Sequence, residues 1–258
     1  MNDDDKIPFT SHLDELRRRL IISFIAVAIG FAAAYGFKEY LFEILVRPLK
    51  LVMAEGDTLI FTNLPEAFFT YLKVAFLTGI GLASPVLIYQ FWMFVAPGLY
   101  DKEKRMLLPI VFLSTLFFVG GALFGYFIVF PYGFEFFLGF ATETIRPMPS
   151  MKEYLSFAAK LLLAFGVVFE LPLVITFMAK LGLVTVPFLK RNRKYAVLLF
   201  FAGAAILTPP DVVTQVMMAL PLMLLYEVSI VGARIFGRKP LDAADTEEEA
   251  PENRPPAE

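Results

Sequence analysis

The sequence has no cysteine, one histidine and one tryptophan among its 258 residues, and only 19% of them are charged. Without cysteine there is no disulfide framework, no thiol nucleophile and no thiolate metal site. His12 forms His-x-x-Glu with Glu15 but lacks a second histidine at helical spacing, so the usual zinc arrangement is excluded. A net charge of −2 leaves no electrostatic footprint for nucleic acid. GGALFG at Gly120–Gly125 lies inside an apolar run with no strand before it, which points to close helix packing and away from a nucleotide loop. No active site is legible; the chain reads as a non-enzyme without metal or cofactor.

Apolar residues are plentiful instead. They make up 58% of the chain, with 29 Phe and 10 Tyr, and mean hydropathy is +0.67. A core of this size cannot enclose that much aromatic surface, so lipid must cover part of it. Six apolar segments predict an all-α membrane protein: Leu20–Phe37, Val74–Val95, Leu107–Phe130, Ala158–Ala179, Ala196–Leu207 and Val213–Val231. The first four have roughly the 17–25 residues that a crossing needs. The fifth reaches only about 18 Å at 1.5 Å per residue, and Gln215 and Glu227 interrupt the sixth. Two short closing spans are therefore expected, as a re-entrant hairpin or in a locally thin bilayer.

Of the 23 Lys and Arg, sixteen fall in the leader, the second and fourth loops and the tail. The positive-inside rule then places both termini in the cytoplasm, in agreement with an even number of spans. The acidic start MNDDDKIPFT has no signal-peptide character. The loop from Lys38 to Lys73 is expected to form short interfacial helices. Residues 1–239 would be the membrane domain, and 240–258, rich in acid and proline, a disordered cytoplasmic tail.

Four places carry polar residues that need an explanation. The leader SHLDELRRRL reads as an amphipathic helix capped by Ser11, an interfacial anchor or a binding element, in which Glu15 can pair with Arg18 or Arg19. In APGLYDKEKR, Glu103 either balances nearby cations or joins Glu15 to receive a ligand with two guanidinium groups. Glu170, in AFGVVFELP, is an intramembrane carboxylate beside the helix-breaking Pro172. It is either functional or a packing group bonded to a partner such as Gln215. Asp211 suits an N-cap after LTPP, with ligand binding as the other reading.

Together FTSHLDELRRRL, ASPVLIYQFWMFVAPGLYDKEKR, AFGVVFELP and LTPPDVVTQVMMALPLMLLYEVSI resemble the TatC family, the polytopic receptor subunit of the twin-arginine protein translocase, over about Ile7–Arg238. The resemblance implies a cup-shaped six-helix bundle in a bacterial inner membrane that binds twin-arginine signal peptides of folded precursors. It further implies single-span Tat partners of the TatA and TatB type, self-association, and transport driven by the proton-motive force. On the same ground, Glu15 and Glu103 would take the paired arginines; Arg17, Pro48, Phe94 and Asp211 would matter for translocation. Glu170 and Gln215 would be intramembrane polar positions in partner contacts. The rival reading is a proton-coupled small-solute transporter with Glu170 as relay; no internal repeat supports it.

Overall fold

In hydrocarbon a chain must satisfy its own backbone polar groups, and here the long apolar runs do so as helices. The computed structural model describes residues 9–54, 56–95, 107–142, 144–208 and 211–237. In order they form α1 (Phe9–Tyr35), α2 (Lys38–Lys50), α3 (Glu66–Val95), α4 (Leu107–Phe124), a π-helical turn (Gly125–Val129), α5 (Phe130–Leu138), α6 (Met151–Phe169), α7 (Leu171–Lys180), α8 (Val186–Arg191), α9 (Arg193–Leu207) and α10 (Val212–Phe236). The expected tail, 240–258, lies outside the described residues.

Five helical stretches are long and apolar enough to cross a membrane: His12–Tyr35, Glu66–Val95, Leu108–Leu138, Met151–Lys180 and Val212–Phe236. The 15 residues of α9 reach only about 22 Å, short of a hydrocarbon core of about 30 Å. The expectation of two short closing spans is corrected here, because α10 runs unbroken for 25 residues. Its interrupting polar residues are both satisfied: Gln215 Nε2 donates to Phe201 O at 2.9 Å, and Arg193 Nη2 donates to Glu227 Oε2 at 2.6 Å. Ser11 is not a cap either, since helix is already formed at Phe9. The start of α3 at Glu66 precedes the predicted apolar run because Glu66 and Thr70 are helical and buried.

Close backbone approach joins α1 to α3. A Cβ on Gly30 would stand 2.6 Å from the Gly79 carbonyl oxygen, and one on Gly79 would stand 2.6 Å from Phe31 N. Only glycine fits this crossing. Likewise a Cβ on Gly121 would meet Phe165 O at 2.4 Å, so that part of GGALFG packs α4 on α6 as its composition suggested. Outward faces stay apolar, with Phe24 and Phe112 each 72% exposed.

Prolines inside helices leave carbonyls unpaired, and hydroxyls fill two of the gaps. Pro48 cannot bond Ile44 O, and Tyr126 OH donates to that oxygen at 2.6 Å. Pro85 cannot bond Gly81 O, and Ser84 Oγ donates to it at 2.7 Å. Before Pro131 the π-helical turn widens the helix, with Phe130 N bonded to Gly125 O. The helix therefore continues to Leu138, past the predicted end of its span.

At the α2 end of the bundle, Glu66 ties two connections together. Its Oε2 accepts from Thr62 N (2.7 Å), Thr62 Oγ1 (3.0 Å) and Asn63 N (3.3 Å). Its Oε1 accepts from Ser150 Oγ (2.6 Å) and Lys152 N (3.0 Å). Beside it Ile60 and Ser150 form a parallel bridge, with Met151 N bonded to Ile60 O at 2.8 Å.

Candidate functional site

At the opposite end, the first turns of α1 meet the last turns of α3. The Gly30–Gly79 crossing sets their separation, so side chains nearer this end frame an open cavity of about 620 Å³ lined by Asp14, Glu15, Arg18, Arg19, Tyr89 and Gln90, among others. Glu15 and Arg19 are one helical turn apart and pair as the spacing allows. Arg19 Nε donates to Glu15 Oε1 at 3.1 Å, and Nη2 donates to the same oxygen. Arg19 Nη1 also reaches across to Gln90 Oε1 at 3.3 Å. Of the two partners open to Glu15 in the sequence, the structure selects Arg19.

This arrangement has a chemical consequence. Arg19, held by Gln90, occupies one oxygen of Glu15; among the described residues Oε2 accepts no hydrogen bond and has His12 Nδ1 near it, at 4.0 Å. A carboxylate fixed through one oxygen presents the other as a directed acceptor. Around it two acids, Asp14 and Glu15, accompany two cations, Arg18 and Arg19, so the lining is charge-balanced among the described residues.

Sequence reasoning missed two contributors. Gln90 was the only amide in an apolar stretch, which was a usable signal. His12 was weighed only as a metal ligand; its ring stacks on Phe94 with centroids 4.5 Å apart. That contact places Phe94 at the rim of the same site. Arg17 lies on α1 and is exposed. Glu103 belongs to residues 96–106, outside the described residues, so the structure does not place it against Glu15.

Glu170 sits at the break between α6 and α7, with Pro172 in the first turn of α7, where the sequence leads one to expect a kink. Its Oε1 is buried without a hydrogen-bond partner among the described residues. Gln215 is not that partner; it bonds Phe201 O and joins α10 to α9. The polar group beside the carboxyl is Ser114. Trp92 Nε1 donates to Ser114 Oγ at 2.9 Å, and an indole only donates. The Ser114 proton is thereby left for another acceptor, and Glu170 stands next to it.

Asp211 caps α10, accepting from Thr214 N at 2.7 Å and from the Thr214 hydroxyl. The capping reading is the one its geometry supports. Pro48 is buried within α2, at the Glu66 end, where the carbonyl it frees binds Tyr126. The predicted residues thus fall into separate groups: Glu15, Arg17 and Phe94 at the first turns of α1 and last turns of α3, Glu170 at the α6–α7 break, and Pro48, Asp211 and Gln215 toward the other end.

A helical bundle with five stretches long and apolar enough to cross a membrane, and a polar, guanidinium-framed cavity at one end, has the build of a polytopic membrane protein. The family described as Sec-independent protein translocase protein (TatC) matches residues 11–221. The TatC protein of Desulforapulum autotrophicum is 68% identical over 97% of this chain and 92% of its own length. That of Aquifex aeolicus is 45% identical over 90% and 97%. A crystal structure of a twin-arginine translocase receptor, TatC, superposes with a TM-score of 0.79 at 44% identity, covering 88% of this chain and all of that one. The chain belongs to the TatC family.

Proposed function

We propose that this chain is the receptor subunit of a Sec-independent protein translocase and that the α1–α3 cavity is where it reads the paired arginines of a signal peptide. The observation that carries this reading is the second oxygen of Glu15, which accepts no hydrogen bond among the described residues while Arg19 and Gln90 hold the first in place. A guanidinium binds a carboxylate in a planar, bidentate way that an ammonium does not. Because Asp14 and Glu15 are offset by Arg18 and Arg19, a doubly cationic ligand calls for acid from outside this lining. Glu103 supplies it, from the segment joining α3 to α4.

Both termini lie in the cytoplasm, and α9 makes a sixth crossing of a bilayer thinned around its 15 residues. The bundle is a cup in a bacterial inner membrane. Single-span partners of the TatA and TatB type, and further copies of this chain, dock on it, and folded precursors cross at the expense of the proton-motive force. Arg17 and Phe94 border the signal cavity, Pro48 and Asp211 keep the far ends of α2 and α10 in place, and Glu170 with Gln215 serves the intramembrane contact surface.

Photo-crosslinkers beside Glu15 and Glu103 test the reading against a twin-arginine precursor and its Lys-Lys counterpart. Crosslinks selective for the arginine form are expected. Equal labelling of both forms would remove the cavity as the reader, and uptake of a small solute by the chain alone would favour a transporter.

A further inference from the structure

Lys160 is the charge that the receptor reading leaves unused. It lies on α6, about 13 Å in from Met151 along a stretch long and apolar enough to cross a membrane. It is exposed, and among the described residues its ammonium has no hydrogen-bond or ion-pair partner. A bare cation at that depth is costly and seeks a counter-charge or a polar layer.

The surroundings say which. Lys160 lines an open cavity of about 460 Å³ together with Glu153, Ser156, Phe157, Ile206 and Thr208. Glu153 is two helical turns nearer Met151, and a helical side chain leans toward its own N-terminus, so the Lys160 ammonium is directed toward the Glu153 side. No ion pair joins the two residues, and both line the cavity. Ile206 is 81% exposed beside it. Leu207 ends α9, and Thr208, which caps that end, lines the same cavity, so the polar end of the short helix sits against the Glu153–Lys160 segment.

We infer that this cavity binds one zwitterionic phospholipid headgroup bearing a primary ammonium, with its phosphate on Lys160 and its ammonium on Glu153. Such a headgroup carries an anion and a hydrogen-bonding cation a two-carbon linker apart, matching the order of the two protein charges. Phe157 and Ile206 take the start of the acyl chains. A purely anionic headgroup meets Lys160 but is repelled by Glu153; a choline headgroup cannot donate hydrogen bonds to Glu153. The inference is independent of how the signal peptide is read.

The test uses the full chain, delipidated in detergent and titrated by native mass spectrometry with dioleoyl phosphatidylethanolamine, phosphatidylcholine, phosphatidylglycerol and diacylglycerol. One ethanolamine lipid should bind about tenfold more tightly than the other three, a difference of about 1.4 kcal/mol. Lys160→Met should lower its binding to the diacylglycerol level, Lys160→Arg should retain it, and Glu153→Gln should erase the preference over choline. Helicity and Tm of each variant show that the fold persists, and the retained binding of Lys160→Arg distinguishes charge loss from misfolding. Unchanged binding in Lys160→Met, or equal retention of diacylglycerol by the wild type, overturns the proposal. So does displacement by soluble glycerophosphoethanolamine at concentrations equal to the lipid's, which would make the ligand a free phosphate ester.

Discussion

Two carboxylates at opposite ends of the bundle behave differently. Glu66 is buried and accepts five hydrogen bonds from two connections, while Glu15 is part-exposed and, among the described residues, accepts hydrogen bonds through one oxygen and from Arg19 alone. A carboxylate whose acceptor sites are filled from within holds structure together; one fixed through half of them is set to meet something else. Glu170 is a third case, a half-buried residue with one buried oxygen that has no hydrogen-bond partner among the described residues.

The contrast breaks most visibly at Glu66. Glu66→Ala should lower the Tm strongly and expose the segment around Ile60 and Ser150 to protease, whereas Glu15→Ala should leave both near wild type. Equal losses of Tm would abolish the distinction. Next in size, Glu15→Gln should weaken binding of a twin-arginine peptide by about 1.5–3 kcal/mol, the value of a hydrogen bond to a charged group, without shifting the Tm. Trp92→Phe removes the donor to buried Ser114 and should cost about 1–2 kcal/mol in unfolding experiments. The smallest effect belongs to Arg193→Ala, since its pair with Glu227 is about half exposed on both sides; stability should change by less than about 0.5 kcal/mol.

Hydropathy and punctuation made much of this legible. Apart from the fifth, the apolar runs fell on the five long apolar helical stretches, Pro172 marked the break at Glu170, and Asp211 after a Pro-Pro step announced a cap. What stayed hidden depended on register between distant segments. Arg19 meets Gln90 across 71 positions and Ser150 meets Glu66 across 84, and no local pattern encodes either distance. The apparent interruption of α10 had the same origin: Gln215 and Glu227 look disruptive alone and are satisfied only once α9 lies beside them. Hydropathy also reports where lipid begins, which is not where a helix begins, so α3 could start at a buried Glu66 unnoticed.

The central claim is that the α1–α3 cavity reads guanidinium groups through Glu15. The most direct measurement is the affinity of a labelled twin-arginine signal peptide and its Lys-Lys variant for the wild type and for Glu15→Gln, both in nanodiscs. The account predicts a preference for arginine of about tenfold or more in the wild type that collapses in Glu15→Gln. A preference that survives the substitution intact would contradict it.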